Sequence, residues 1–291
     1  MQGYYSYKTG VLKVTGKDKL DYLNRISTNK FTLFPDMTYI KTVVPNDKGR
    51  IIDFCTVLNC SDIFYMICTP GNEDILKSHI EKYIVTEDIN VIKEFGVITH
   101  FTGNKYLFKD FNNDGNKISC SDDCYILGDN YGFAKTAVIE IGKSDSMFFK
   151  KHIENADKIS DKDFAIYCMK YFYLYGSNEL NDNNNPLECY LGDYISFNKG
   201  CYIGQEVISR INSQGKIPKY LINIESNHKF TKGDLIYTEI DFQETECGYV
   251  TSTVEKEKKY FGYGFIRSNV LHNKNKIRIN GNEIFINYKN I

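Results

Sequence analysis

An α+β body followed by a separate all-β domain is the fold class that this sequence predicts, and three observations carry it. The first half orders its elements strand, helix, strand, strand, helix, strand. Beyond Pro218 the texture changes to six short strand-like runs, YLINIE, GDLIYTEI, CGYVTSTV, KKYFGYGFIR, KIRIN and EIFINY, joined by Gly, Asn and Lys turns. No fixed-period repeat runs through the chain, which excludes a solenoid.

The elements follow in order. A short strand covers Val11 to Val14. Thr15 then caps a helix, with Asp18 placed to reach back to free backbone donors and Leu20, Leu23 and Ile26 on its buried side. GRIIDFCTVLN and IFYMICT are strands, rich in β-branched and aromatic residues and separated by the turn-forming NCSD. EDILKSHIEKYIV places Ile75, Leu76, His79, Ile80 and Tyr83 at helical spacing, so His79 reads as a satisfied core residue. Short strands and turns alternate from 90 to 140. SDKDFAIYCMKYFYLYG is a helix capped by Ser160 or Asp161 and stopped at Gly176. SNELNDNNNPLE reads as a mobile surface loop. The domain boundary falls at 217/218.

Composition narrows the function. The 291 residues are 42% hydrophobic and 25% charged, enough for a packed core in more than one domain. A formal net charge of -1 gives no general field for nucleic acid or anionic membrane. No window approaches the roughly 20 apolar residues of a membrane span, and the start lacks a targeting pattern, so a cytoplasmic protein, or a mature form already trimmed, is expected. Nine cysteines, without CxxC spacing, argue against a zinc ribbon or a disulfide framework. SCSDDCYILGD reads as turn then strand, which disfavours a metal between Cys120 and Cys124. The five histidines, at 79, 100, 152, 228 and 272, form no motif with a cysteine, so a Cys-His hydrolase is not expected.

Two stretches carry chemistry. In KGCYIGQE, residues 199 to 206, the two glycines permit tight turns or a close approach of another group, and Lys199 and Arg210 place positive charge near Cys201, favouring its thiolate. Glu206 either orients a polar ligand or pairs with one of those cations. In VPNDKGRIIDF, residues 44 to 54, Asn46, Asp47 and Gly49 form a hairpin turn and Asp53 falls in the apolar run that follows. That carboxylate either meets the amine-like donors of a ligand or faces solvent on an edge strand.

GVLKVTGKDKLDYLNRISTNKF, NDKGRIIDF, PLECYLGDYISFNKGCYIGQEVISR, GYVTST and YFGYGFIR together resemble the YgfZ family of folate-binding proteins, related to the aminomethyltransferase (T-protein) of the glycine cleavage system. The resemblance runs in order over nearly the whole chain. It implies a T-protein-like multi-domain body around a central cavity, built of two interleaved subdomains, 1–95 plus 177–217 and 96–176, and closed by a C-terminal β-barrel, that binds tetrahydrofolate or a derivative. It also implies a role in assembly or repair of iron-sulfur clusters, including those of radical-SAM enzymes that modify tRNA, with A-type carrier proteins and four-iron client enzymes as partners, in the bacterial cytoplasm or the mitochondrial matrix. Carried over to this chain, Cys201 and Asp53 are the reactive groups. Asp53, Asn46, Arg50, Lys199, Tyr202, Gln205, Glu206 and Arg210 are the cofactor-binding residues, and Cys201 is the ligand of a transient, shared iron-sulfur cluster. Phe172 to Gly176 keeps only the glycine of the family's Arg-Ile-Glu-x-Gly-x-Pro segment. The alternative is a tetrahydrofolate-dependent one-carbon transferase acting through Asp53. A third reading, direct RNA binding by EKEKKY and HNKNKIR, is disfavoured, because such lysine-rich turns are usually solvated hairpin tips.

Overall fold

The structure, a computed structural model, describes residues 3–102, 116–121, 124–131, 134–142, 146, 150, 153–154, 156–240, 242–271 and 276–289. Eight strands, β1 (Gly3–Thr15), β2 (Thr38–Pro45), β3 (Ile51–Cys60), β4 (Ile63–Ile67), β5 (Asn90–Thr102), β6 (Ile118–Ser121), β7 (Cys124–Tyr131) and β8 (Ala134–Ile141), pair antiparallel in the order β2-β3-β4-β1-β5-β8-β7-β6. The sheet rolls until its two edges meet. Tyr39 N–H donates to Asn116 O (2.9 Å) and Ile118 N–H to Met37 O (2.8 Å). The boundary expected at 95/96 falls inside β5.

Rolling gives the sheet an inner and an outer face. Val11, Tyr39, Leu58, Ile67, Ile98, Ile118, Leu127 and Ile139, drawn from every strand, pack inside. Outside, Cys55, Val57 and Met66 pack against α1 (Lys19–Ile26) and α2 (Glu73–Lys82). Helix α1 begins later than the sequence suggests, because Asp18 does not close a capping box: its Oδ2 accepts Asp88 N–H at 2.8 Å. Leu20 and Ile75 are partly solvent-exposed, whereas Leu23, Leu76 and Ile80 are buried as expected. His79 Nε2 lies 3.1 Å from Pro45 O, which satisfies it in place.

Helix α3 (Asp161–Tyr171) is capped by Ser160, whose Oγ accepts Asp163 N–H at 3.2 Å. It stops at Phe172, in the left-handed region at φ 52°, and not at Gly176. The following Asn-rich segment is folded inward, contrary to the loop expected there. Glu179, Leu180, Asn184 and Asn185 are buried, and Asn185 with Glu188 forms a capping box on a short 3-10 turn (Pro186–Cys189).

After α4 (Gln205–Gln214), a second sheet holds β9 (Lys219–Ser226), β10 (Leu235–Ile240), β11 (Gln243–Lys256), β12 (Lys259–Arg267), β13 (Ile277–Ile279), β14 (Asn282–Glu283) and β15 (Phe285–Asn287) in the order β14-β13-β10-β11-β12-β9-β15, with α5 (Ser268–Leu271) at one end. The single segment 282–287 pairs with β13 at its start and β9 at its end, so it closes a barrel. Glu257 and Lys258, both at positive φ, make the tight turn of the β11–β12 hairpin, so EKEKKY is a hairpin tip. His152 and the 272–275 part of HNKNKIR lie outside the described residues. Among the described residues no helix is long and apolar enough to cross a membrane.

Candidate functional site

The two chemistry-bearing stretches meet backbone to backbone. Asn46 builds the β2–β3 turn: its Oδ1 accepts the N–H groups of Lys48 and Arg50, both at 3.0 Å, and its carbonyl accepts Gly49 N–H at 2.9 Å. Gly204, at φ +75°, lies against that turn so closely that a Cβ there would sit 2.3 Å from Asn46 O and 3.0 Å from the Gly49 Cα. The second motif glycine therefore serves a close approach of chain to chain.

Cys201 is solvent-exposed on the turn just before α4. Lys199 is held by backbone carbonyls. Its ammonium donates to the carbonyls of Ser27 (2.7 Å) and Asn29 (2.6 Å) and lies 5.1 Å from the Tyr202 ring centroid. Burial lowers its pKa to about 8. Gln205 Oε1 accepts Tyr202 N–H at 3.3 Å, while Tyr202 is buried beside Leu187, Ile195 and Ile208. Glu206 and Arg210 are exposed on α4. Arg50 Nη1 lies 3.4 Å from the buried Glu188 carboxylate, which Lys219 approaches to 3.8 Å. Asn46, Arg50, Lys199 and Gln205 thus hold the Cys201 turn and its surroundings together. No cluster of three or more His, Cys, Asp or Glu side chains suited to a metal occurs among the described residues.

Asp53 follows neither of the two readings offered for it. It is fully buried with the Cys55 side of β3, and the protein itself supplies its donors: Phe54 N–H (2.8 Å), Thr69 N–H (3.1 Å), Asn72 Nδ2 (3.2 Å) and the Cys55 thiol (3.4 Å). Burial raises its pKa, and these hydrogen bonds oppose the rise. The neighbours Phe54 and Thr56 point the other way, as strand alternation requires, and they line the interior.

That interior holds residues the sequence reading passed over. Lys41, on β2, borders both a small inner cavity with Tyr7, Phe54, Thr56 and Tyr173 and an outer cavity of 420 Å³ with Asn29, Tyr39, Asp193 and Tyr194. The Phe54 ring on the inner cavity lies 4.8 Å from the Tyr194 ring on the outer one. Burial brings the Lys41 pKa down to about 7. His100 is enclosed by Tyr7, Phe164 and Tyr173 with centroids 5.5 to 5.7 Å away, and burial first, then the Lys41 charge, lowers its pKa to about 3. One lysine inside the apolar run YIKTVVP was the signal available in the sequence. Asn29 joins the parts, since its Nδ2 donates to Lys41 O (2.9 Å) and its carbonyl takes Lys199. The Cys201 turn is thereby bonded to the cavity wall.

No family model matches the chain. It is 22% identical over 287 aligned positions to the tRNA-modifying protein YgfZ of Buchnera aphidicola subsp. Baizongia pistaciae, covering 91% of this chain and 89% of that protein. It is also 22% identical to an aminomethyltransferase of Caldanaerobacter subterraneus subsp. tengcongensis, over 93% of this chain and 78% of that enzyme. A 70-residue stretch is 41% identical to the mitochondrial iron-sulfur cluster assembly factor IBA57 homolog of Candida glabrata, covering 22% of this chain and 14% of that protein. Among solved structures, the glycine cleavage system aminomethyltransferase T from Bartonella henselae superposes with a TM-score of 0.81 at 12% identity, over 98% of this chain and 84% of that one.

Proposed function

We propose that this chain, similar over most of its length to a YgfZ protein and to aminomethyltransferases, is a member of the YgfZ family and supports assembly or repair of iron-sulfur clusters, those of tRNA-modifying enzymes included, by presenting the Cys201 thiol beside a folate-binding cavity. The observation that carries this reading is the Cys201 turn itself. The thiol is exposed, and its turn is tied to the cavity wall through Lys199 and to the β2–β3 turn through Gly204.

The outer cavity fits a reduced folate. Its 420 Å³ lies in the ordinary range of small-molecule sites. Tyr39 and Tyr194 offer flat faces to a pterin, Asp193 and Asn29 offer polar partners to its amine and amide edge, and Lys41 offers a cation to its carbonyl or carboxylate oxygens. Asp193 takes the part that the sequence reading gave to Asp53. Iron-sulfur clusters usually take about four ligands, and Cys201 is one. The remainder come from a partner, such as an A-type carrier or a four-iron client enzyme.

Cys201→Ser is expected to fold and to bind tetrahydrofolate as the parent does, yet to fail in restoring four-iron enzyme activity to a strain lacking the protein. Full rescue by that variant would remove the thiol from the mechanism. A one-carbon transfer through Asp53 is disfavoured, because the carboxylate would have to leave four protein donors. Folate-dependent turnover that disappears in Asp53→Asn would reverse that preference.

A further inference from the structure

The Asn-rich segment 177–184 and the C-terminal barrel border a third, open cavity, of 590 Å³, that the proposed function does not use. Its chemistry is one-sided. Lys219 and Lys232 both line it, and no carboxylate does. The remaining polar groups are amides, hydroxyls and backbone, with Ser177, Asn178, Asn183 and Tyr249 among them.

The local bonding leaves donors turned toward a ligand. Lys219 Nζ donates to Asn184 Oδ1 (2.8 Å), Tyr249 Oη (2.9 Å) and Asn183 O (3.4 Å), which fixes it in the wall with its three protons engaged and leaves the tyrosine proton available to another acceptor. Lys232 Nζ donates to Asn178 Oδ1 (2.6 Å), which leaves two ammonium protons and the Asn178 Nδ2 group for a ligand. The carboxylates around the cavity are engaged elsewhere. Glu179 accepts Thr251 Oγ1 at 2.6 Å, Asp234 accepts Thr231 and Asn280, and Glu188 is held by Asn185 N–H and Arg50. With Arg50 and Lys219 set against Glu188, and Lys232 beyond them, the wall keeps positive charge next to neutral donors. Gly233, at φ +93° with open space where a Cβ would stand, leaves the rim beside Lys232 unobstructed.

From this arrangement the geometry points to a binding site for a phosphate ester of a hydroxylated molecule, such as a sugar phosphate. Lys232 takes the anionic oxygens, with Lys219 behind the wall adding positive charge, and the Asn178 Nδ2 group, the Asn183 amide and the Tyr249 hydroxyl take the hydroxyl groups.

Ribose 5-phosphate is the probe, with ribose and inorganic phosphate as controls, each titrated into the full chain by calorimetry at low salt. Saturable binding of the ester is expected, weaker for free phosphate, absent for ribose, and falling as salt screens the lysines. Lys232→Gln is expected to weaken it by about tenfold, the effect of one charge-assisted hydrogen bond. Lys232 is exposed and makes one side-chain bond, so this variant keeps the fold. Asn183→Asp, which adds a carboxylate to the rim, is expected to weaken binding at least as much. The inference is overturned by no saturable binding, by free phosphate binding as tightly as the ester, or by binding that both substitutions leave unchanged. Tetrahydrofolate affinity, measured on the same variants, is expected to be unaltered, which separates this site from the proposed folate cavity.

Discussion

Replacing Gly204 by alanine perturbs the contact on which the Cys201 turn depends, and the motif contains its own control. At φ +75° an alanine enters the left-handed region, at a cost of about 1–2 kcal/mol. Its Cβ would also meet backbone atoms, Asn46 O at 2.3 Å and Gly49 Cα at 3.0 Å, which cannot swing aside as a flexible side chain would. Forcing the β2–β3 turn away adds roughly 1–3 kcal/mol, the usual scale of overpacking. The sum is about 2–5 kcal/mol. Gly215, at φ +62° with nothing within 4 Å, isolates the backbone component, so Gly215→Ala is expected to cost about 1–2 kcal/mol. Gly200 has neither a left-handed φ nor a neighbour within 4 Å, and Gly200→Ala is expected within about 1 kcal/mol of the parent. Urea unfolding of the three variants at a common m-value reads these differences directly. If Gly204→Ala is no less stable than Gly215→Ala, the close packing of the two stretches does not anchor the turn.

Three other outcomes follow from groups already described. Lys41 titrates near 10.5 when unfolded and about 7 when folded, so between those values the unfolded chain binds more protons and stability rises with pH. The slope reaches at most about 1.4 kcal/mol per pH unit. Lys199 adds to it above about 8, and Lys41→Met flattens the Lys41 share of the curve measured by unfolding at successive pH values. Iodoacetamide followed by mass spectrometry is expected to label Cys201 and Cys120 first, because burial pushes the Cys55, Cys168 and Cys189 thiols up and Cys60 to about 11; protection of Cys201 would contradict its assigned exposure. The Tyr202 hydroxyl is buried with no hydrogen-bond partner among the described residues, so Tyr202→Phe is expected to be neutral or stabilising by up to about 1 kcal/mol in the same denaturation assay. A clear loss of stability would point to a partner for that hydroxyl.

The architecture was legible because strands and turns of the C-terminal half carry local signals, and because the motif glycines announce a close approach. What approaches Gly204 was not legible, since Asn46 is about 160 residues away in the chain and chain separation hides such contacts. Asp53 was misread for a different reason. Both faces of β3 are covered, so its sequence does not alternate cleanly, and nothing local says whether residue 53 or residue 54 faces the interior. The segment 177–185 has the composition of a flexible loop, yet Asn184 and Asn185 spend their amides on Glu179 O and Gly49 O. Asparagine looks the same in sequence whether it solvates a loop or fastens one.

The barrel at the C-terminal end is sealed by residues 282–287, the last of the described strands to leave the ribosome. Until they emerge, β9 and β13 present open edges with an apolar interior behind them, a state prone to pairing with other nascent chains. Quality control during translation therefore has a defined window in this protein, opening as β9 to β13 are completed and shutting only when the closing segment arrives.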